Sequence, residues 1–219
     1  MKTLQRGMLI VACISLFAAG TAAQFMRQGP PAMRGVWKPV VGSGGAYKTD
    51  MKRDKQEMEI TIVGTESVEG KTGYWQEIFM KTEEGDMVMK QLMVFEGDMP
   101  GPRRMIMQPP GMDPMEMPMQ GMMGRRPEKL SGDVRQEAQK VGTETITTPA
   151  GTFECEHWRS NDGSTDVWLS EKVSPWGMVQ MKSKDGTMTL TRVISGAKSR
   201  ITKTPTKFDP MEMMKRERP

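Results

Sequence analysis

Residues 55–63, KQEMEITIV, alternate apolar and polar side chains. On an extended chain Met58, Ile60 and Ile62 fall on one face, and Glu57, Glu59 and Thr61 on the other. A period of two marks a strand with one face buried and one wet. The same kind of signal returns along most of the chain from Val36 onward, as short β-type runs broken by turn residues. GYWQEIFM (73–80) and DMVMKQLMVF (86–95) are apolar on both faces and are joined by KTEEG, a hairpin-sized loop. Strands of that kind need cover on both sides, from core or from something held in a cavity. TETITTPAGTFECEHWR (143–159) reads as a hairpin turning at Pro149-Ala150-Gly151, and TDVWLS (165–170) as a strand. WGMVQMKS and GTMTLTRVIS follow, joined at Lys184-Asp185-Gly186. In the second of these Met188 and Leu190 oppose Thr187, Thr189 and Thr191. VRQEAQK (134–140) suits a short helix or a strand equally. The expectation is a mainly β domain of nine to eleven strands over residues 36–196. It forms a curved antiparallel sheet or open half-barrel with few helices.

One stretch interrupts the pattern. Residues 99–127 hold nine Met, seven Pro and four Gly in 29 positions. Proline cannot donate to a ladder and breaks helices. The stretch therefore reads as a long Met/Pro/Gly-rich loop, a class that in compact domains tends to carry function. Three readings of its methionines stand side by side. Thioethers bind the soft ions Cu(I) and Ag(I), and Met112, Met115, Met117 and Met119 are spaced to converge on one. Methionine also makes adaptable apolar contacts, which would suit a mobile lid over the mouth of the sheet. The chain holds 25 Met in all, so a general compositional bias accounts for the cluster as well.

The N-terminus reads as an export signal. Lys2 and Arg6 precede an apolar run from Met8 to Ala19, too short to span a bilayer, and Thr21-Ala22-Ala23 supplies small residues for cleavage before Gln24. Residues 1–23 are then a signal peptide, 24–35 a flexible leader, and the location periplasmic or secreted. Cys13 within Ile10-Val11-Ala12-Cys13 offers a rival, lipidated start. The remaining 196 residues carry nearly balanced charge, with no concentrated basic field for nucleic acid. Residues 197–219 are rich in Lys and Arg and read as a solvated basic tail. Peripheral contact with anionic lipid is the alternative. Asp209-Pro210 suits the start of one short helix there.

Candidate chemistry is sparse. His157 is the single histidine, which argues against hydrolytic triads and histidine zinc sites. Cys155 and His157 share a strand face with Phe153. That arrangement fits the start of a metal pair, a thiol–imidazole nucleophile or, as we favour, a buried thiol beside a hydrogen-bonded imidazole. Trp75, Phe79, Trp158, Trp168 and Trp176 either line a cavity or fill the core. No paired carboxylates and no phosphate-binding glycine loop are visible.

Thr148-Pro149-Ala150-Gly151-Thr152-Phe153, Val167-Trp168-Leu169 and Pro175-Trp176-Gly177 carry a resemblance. They resemble secreted bacterial proteins of unknown function with a V-P-A-G-T-F hairpin, a tryptophan-bearing strand and a P-[WY]-G turn. Those proteins are similar to the Lol-type periplasmic lipoprotein carriers. The resemblance covers residues 140–195 and reaches 36–95 weakly, through 45–47 and 62–75. It implies a curved antiparallel sheet around a hydrophobic cavity. The function expected from residues and resemblance together is non-enzymatic binding of an apolar or lipid-like ligand, without cofactor. The ligand would meet Trp75, Phe79, Met87, Met89, Met93, Met115, Met117, Met119 and Trp168. An envelope protein is a further candidate partner. Methionine-bound Cu(I) or Ag(I), or an interaction module with a filled core, are the alternatives.

Overall fold

The computed structural model describes residues 35–51, 54–96, 99–118 and 138–208. The signal-peptide and Cys13 expectations, Met119, residues 134–137 and the helix at Asp209-Pro210 lie outside them. Twelve strands form among the described residues. They are β1 (Gly44–Met51), β2 (Asp54–Val68), β3 (Lys71–Thr82), β4 (Gly85–Glu96), β5 (Met99–Gln108), β6 (Met115–Met117), β7 (Ala138–Thr148), β8 (Gly151–Ser160), β9 (Thr165–Leu169), β10 (Met178–Ser183), β11 (Gly186–Ile194) and β12 (Thr206–Lys207).

All twelve belong to one open sheet in the order β12-β6-β5-β4-β3-β2-β1-β11-β10-β9-β8-β7. The mainly β, open-sheet architecture read from the sequence is the one found. The sheet is two consecutive meanders, β1–β6 and β7–β11, joined where β1 pairs antiparallel with β11. β7 touches β11 although three strands separate them in the sheet, so that half curls on itself. Register shifts at Ala46/Tyr47, Ile62/Gly64, Leu92/Met93, Lys140/Gly142 and Met178/Gln180 sharpen the twist that permits this.

Turn chemistry sets the hairpins. Three share one pattern, a Thr or Ser three residues before a glycine whose φ lies between 125° and 148°. Thr82 Oγ1 donates to Gly85 O (2.8 Å), Thr148 Oγ1 to Gly151 O (3.3 Å) and Ser183 Oγ to Gly186 O (3.4 Å). The β2–β3 turn differs. Glu69 and Gly70 both have positive φ, 50° and 76°, which suits a two-residue type I′ loop. Glutamate bears the cost of a left-handed conformation there. Glu69→Asn is therefore expected to stabilise the protein by about 0.5–1 kcal/mol, because Asn tolerates that region. An unchanged or lower urea midpoint would contradict this reading of the turn.

The core lies mainly on one face. Tyr47, Ile60, Ile62, Met80, Met89, Met188 and Leu190 are each no more than 1% exposed. The opposite face of β3 and β4 is covered as well. Trp75, Leu92, Val94 and Ile106 cluster there, and Ile201 packs onto them. Ile201 belongs to a segment that leaves β11, crosses β2 and β3, and ends as β12 parallel to β6. The two-sided apolar runs are thus covered by sheet core on one side and by this strap on the other.

The strap is anchored by Glu77, which is 2% exposed. Its carboxylate accepts bonds from Ser199 Oγ (2.7 Å) and the Arg200 N–H (3.0 Å). Arg200 lies over the Phe79 ring, 3.8 Å from its centroid, and pairs with Glu59. Lys203 pairs with Asp113. The reading of a solvated tail beginning at residue 197 is corrected: to residue 208 the segment is part of the domain. Its basic look misled because its binding partners are carboxylates on β2, β3 and the turn after β5.

A second correction concerns residues 99–127. Met99–Gln108 is a full strand paired with β4, and Met115–Met117 is a short one. Pro100 and Pro102 did not prevent pairing, because β6 accompanies β5 only over Met105–Met107. At the prolines the described neighbour is β4 alone, and an edge strand tolerates proline. A single mobile lid over 99–127 does not fit that arrangement.

Candidate functional site

The expected ligand residues divide between places. Trp75 and Phe79 lie beneath the strap. Met87, Met89, Met93, Met115 and Met117 lie on the opposite face of β4 and β6. Trp168 stands on β9, in the other meander. All of these but Met115 are buried. The structure gathers the methionines and separates them from the aromatic residues.

Two polar arrangements occur in the β7–β9 region. The first surrounds the lone histidine. Register places Glu144 opposite Cys155, and His157 opposite Trp168, with Asp166 two residues before Trp168. His157 is thereby held between carboxylates, Nδ1 at 2.7 Å from Glu144 and Nε2 at 2.6 Å from Asp166. Its ring stacks on Trp168, 4.4 Å between centroids at 19°. Trp168 Nε1 donates to Glu144 (3.0 Å), Arg159 pairs with Asp166 (2.8 Å), and Lys182 lies over the Trp168 face. Both ring nitrogens are thus engaged by acidic side chains, one from β7 and one from β9.

Hydrogen bonds from Trp168 and His157 hold the Glu144 carboxyl below its ordinary range. Burial pushes Asp166 up, but Arg159 and His157 outweigh it and leave that carboxyl lowered too. Burial, with the Glu144 charge added, pushes the Cys155 thiol up to about 11. Its Sγ–H points to Phe153 O at 3.6 Å. Cys155 is therefore a protonated thiol at neutral pH, unlike an activated nucleophile. With both ring nitrogens engaged, this cluster has the makings of a structural clamp across β7, β8 and β9. Among the described residues no three His, Cys, Asp or Glu side chains gather as a metal set.

The second arrangement is a cleft of about 430 Å³ at the end of the sheet. Its apolar part is Val36, Leu169 and Val173, and its charged part includes Lys38, Lys172, Glu154, Glu156 and Glu171. The β9–β10 loop builds one wall. Ser170 N donates to Gly177 O (2.7 Å) and Gly177 N to Val173 O (2.8 Å), which close the loop on itself. Gly177 sits at φ 73°, a conformation a side chain would strain. The segment at 36–38 is laid against that loop by Val36 N to Trp176 O (3.0 Å) and Lys38 N to Pro175 O (2.7 Å). Trp176 then reaches back to the sheet, its Nε1 donating to the buried Gln76 at 2.8 Å and its ring meeting Trp37.

Apart from Cys155, sequence reasoning gave the cleft residues no role, and they come from four separated segments with no common motif. The usable signal was Pro175-Trp176-Gly177, the turn that shapes the cleft wall.

No protein-family model and no curated protein matches the chain. Solved structures do match it in outline. A candidate lipoprotein from Parabacteroides distasonis ATCC 8503 aligns at 14% identity over 73% of this chain and 99% of its own, with a TM-score of 0.36. A candidate exported protein with a YmcC-like fold, from Bacteroides fragilis NCTC 9343, aligns at 14% identity with the same coverages and a TM-score of 0.37. At that degree of likeness, function has to be read from this chain's own residues.

Proposed function

We propose that this is an exported, non-enzymatic envelope protein that holds a small apolar or amphiphilic molecule in the cleft between β8, the β9–β10 loop and residues 36–38. The cleft itself is the observation that carries the reading. Its volume, about 430 Å³, falls in the range of small-molecule sites, and it sets an apolar patch beside a few polar groups, as such sites do. Val36, Leu169 and Val173 would take a short hydrocarbon segment. Lysines and glutamates both line the cleft, Lys38 paired with Glu171, which suits a zwitterionic head better than a single strong charge. Export rests on the N-terminal pattern of Lys2, Arg6 and the apolar run after them. The resemblance of residues 140–195 to secreted bacterial proteins, themselves similar to Lol-type carriers, is a further reason to expect export.

The proposal moves the ligand away from the methionines and Trp75, where the sequence placed it. The test is titration of the full chain with monomeric dodecylphosphocholine. Saturable one-to-one binding is expected. Val36→Trp, which fills the cleft from a half-buried position, should weaken it at least about tenfold, a change worth about 1.4 kcal/mol. Equal binding by a folded Val36→Trp variant, or no saturable binding by the natural chain, would refute the assignment.

A further inference from the structure

At the far end of the sheet every inward position where β5 and β6 pair is a methionine. Met105 faces Met117 and Met107 faces Met115 across the ladder. The two residues contributed by each strand are two apart, so all four side chains stand on one face. Elsewhere on this face the core is mixed, with Ile60, Ile62, Ile78 and Leu190 among its methionines. We propose that Met105, Met107, Met115 and Met117 form a binding site for one soft monovalent ion, Cu(I) or Ag(I).

Geometry supports convergence. Facing Cβ atoms in an antiparallel pair lie about 4.5–5.5 Å apart, and residues two apart on a strand about 6.7 Å. The centre of the four is then about 4 Å from each Cβ. The flexible methionine side chain reaches across that span and leaves room for a metal–sulfur bond. Four neutral thioethers suit a soft, singly charged ion and offer little to a harder divalent one.

The neighbours define the set. Met89 follows Met107 in the same cross-strand row, but its Sδ already accepts a bond from Gln91 Nε2 at 3.7 Å. Glu116 lies between Met115 and Met117 and points to the other face. There it accepts from Arg104 Nε at 2.7 Å, and Arg104 also binds Glu66 at 2.9 Å. A slip of β6 by one residue would swap Glu116 for the methionines, so this ion pair holds the register that aims the sulfurs. β12 holds β6 from its other side, Thr206 against Met115 and Lys207 against Glu116. The ion has a way in, because Met115 is half-buried while Met105, Met107 and Met117 are buried.

The site shares no residue with the cleft, and the two proposals stand or fall separately. The test uses the full chain with Cys13→Ser and Cys155→Ala, so that no thiol competes, and methionine methyl groups labelled with carbon-13. Titration with Ag(I) should saturate at one equivalent and shift the methyl signals of these four residues together, each assigned from a single Met→Leu variant. Zn(II) should move none of them. The four-fold Met→Leu variant should lose at least about 100-fold in Ag(I) affinity, and Met58→Leu/Met80→Leu/Met87→Leu should lose nothing. Should the four-fold variant fail to fold, the methyl shifts of the unsubstituted methionines still decide. Shifts confined to other methionines, or saturation without a change at these four, would overturn the site.

Discussion

Replacing His157 by Ala should lower stability by about 2–4 kcal/mol, which for a chain of this size is about 5–15 °C in Tm. The sum has three sources. Two hydrogen bonds to carboxylates are lost, at 2.7 and 2.6 Å. The stack on Trp168 is lost, a contact of the kind worth about 0.5–1.5 kcal/mol. A buried ring is replaced by a void. Part of the loss is recovered, because Glu144 and Asp166 keep some contact with water, at 45% and 24% side-chain exposure. His157→Phe separates the sources: it keeps a ring against Trp168 and removes both hydrogen bonds, and should fall between the natural chain and Ala. Urea unfolding of the three proteins is the measurement. An Ala variant within about 0.5 kcal/mol of the natural protein, the range of ordinary surface substitutions, would show that the cluster holds nothing together.

The same cluster sets a pH dependence. Glu144 and Asp166 both have lowered folded values, so their contribution is fully present above their ordinary values of 4.5 and 3.8. It disappears as pH falls through the lowered values. Acid sensitivity below about pH 4 should therefore be weaker in Glu144→Gln, which has no charge there to lose.

Replacing Glu77 by Ala should release the strap and lower stability by about 2–4 kcal/mol. The carboxylate is the acceptor for Ser199 Oγ and the Arg200 N–H at a site closed to water. Lys90 lies opposite it on β4, and the Glu77 charge favours the ammonium against the burial that disfavours it. Removing Glu77 leaves these donors without that partner, and a stranded buried donor costs more than a made bond gains. The local readout is tryptic cleavage after Arg200 and Lys203, expected to accelerate well before the rest of the domain yields. Ser199→Ala removes one of the donors and should cost less, about 1 kcal/mol. Cleavage at the natural rate in Glu77→Ala would mean that Ile201 and β12 alone hold the segment down.

These two sites show what was and was not readable beforehand. β2 and β11 were legible because one face is apolar and the other wet, which is what period-two alternation encodes. The hairpin at Pro149-Ala150 was legible from turn chemistry. His157 beside Cys155 was legible as a buried, hydrogen-bonded imidazole, but its partners were not. Glu144 and Asp166 sit 13 and 9 residues away along the chain and meet it only through the registers of β7–β8 and β8–β9. β5 was hidden by prolines that an edge position tolerates. The strap was hidden because Ile201 is the single large aliphatic residue in KSRITKT, and its anchor, Glu77, looks in sequence like any outward-facing acid. The cleft was hidden because residues 36–38, Thr143, 154–156 and 169–177 meet only through tertiary structure.

The join between the two meanders has a kinetic meaning. Within each meander consecutive strands pair, so their contacts close short loops and can form early. β1 must instead find β11 about 140 residues later, and β6 receives β12 from 91 residues downstream. Both long closures fall in the last part of the sequence. In a chain that emerges N-terminus first, the first meander would stand complete but open-edged at β1 and β6 before the rest had followed. An exposed strand edge is a template for pairing with another chain. β1 carries two glycines at its start and Lys48 and Asp50 near its end, residues that disfavour such pairing. The interval between finishing β6 and finishing β11 is therefore when this protein is most exposed to aggregation, and a partner that shields β1 during that interval would have the greatest effect on its yield.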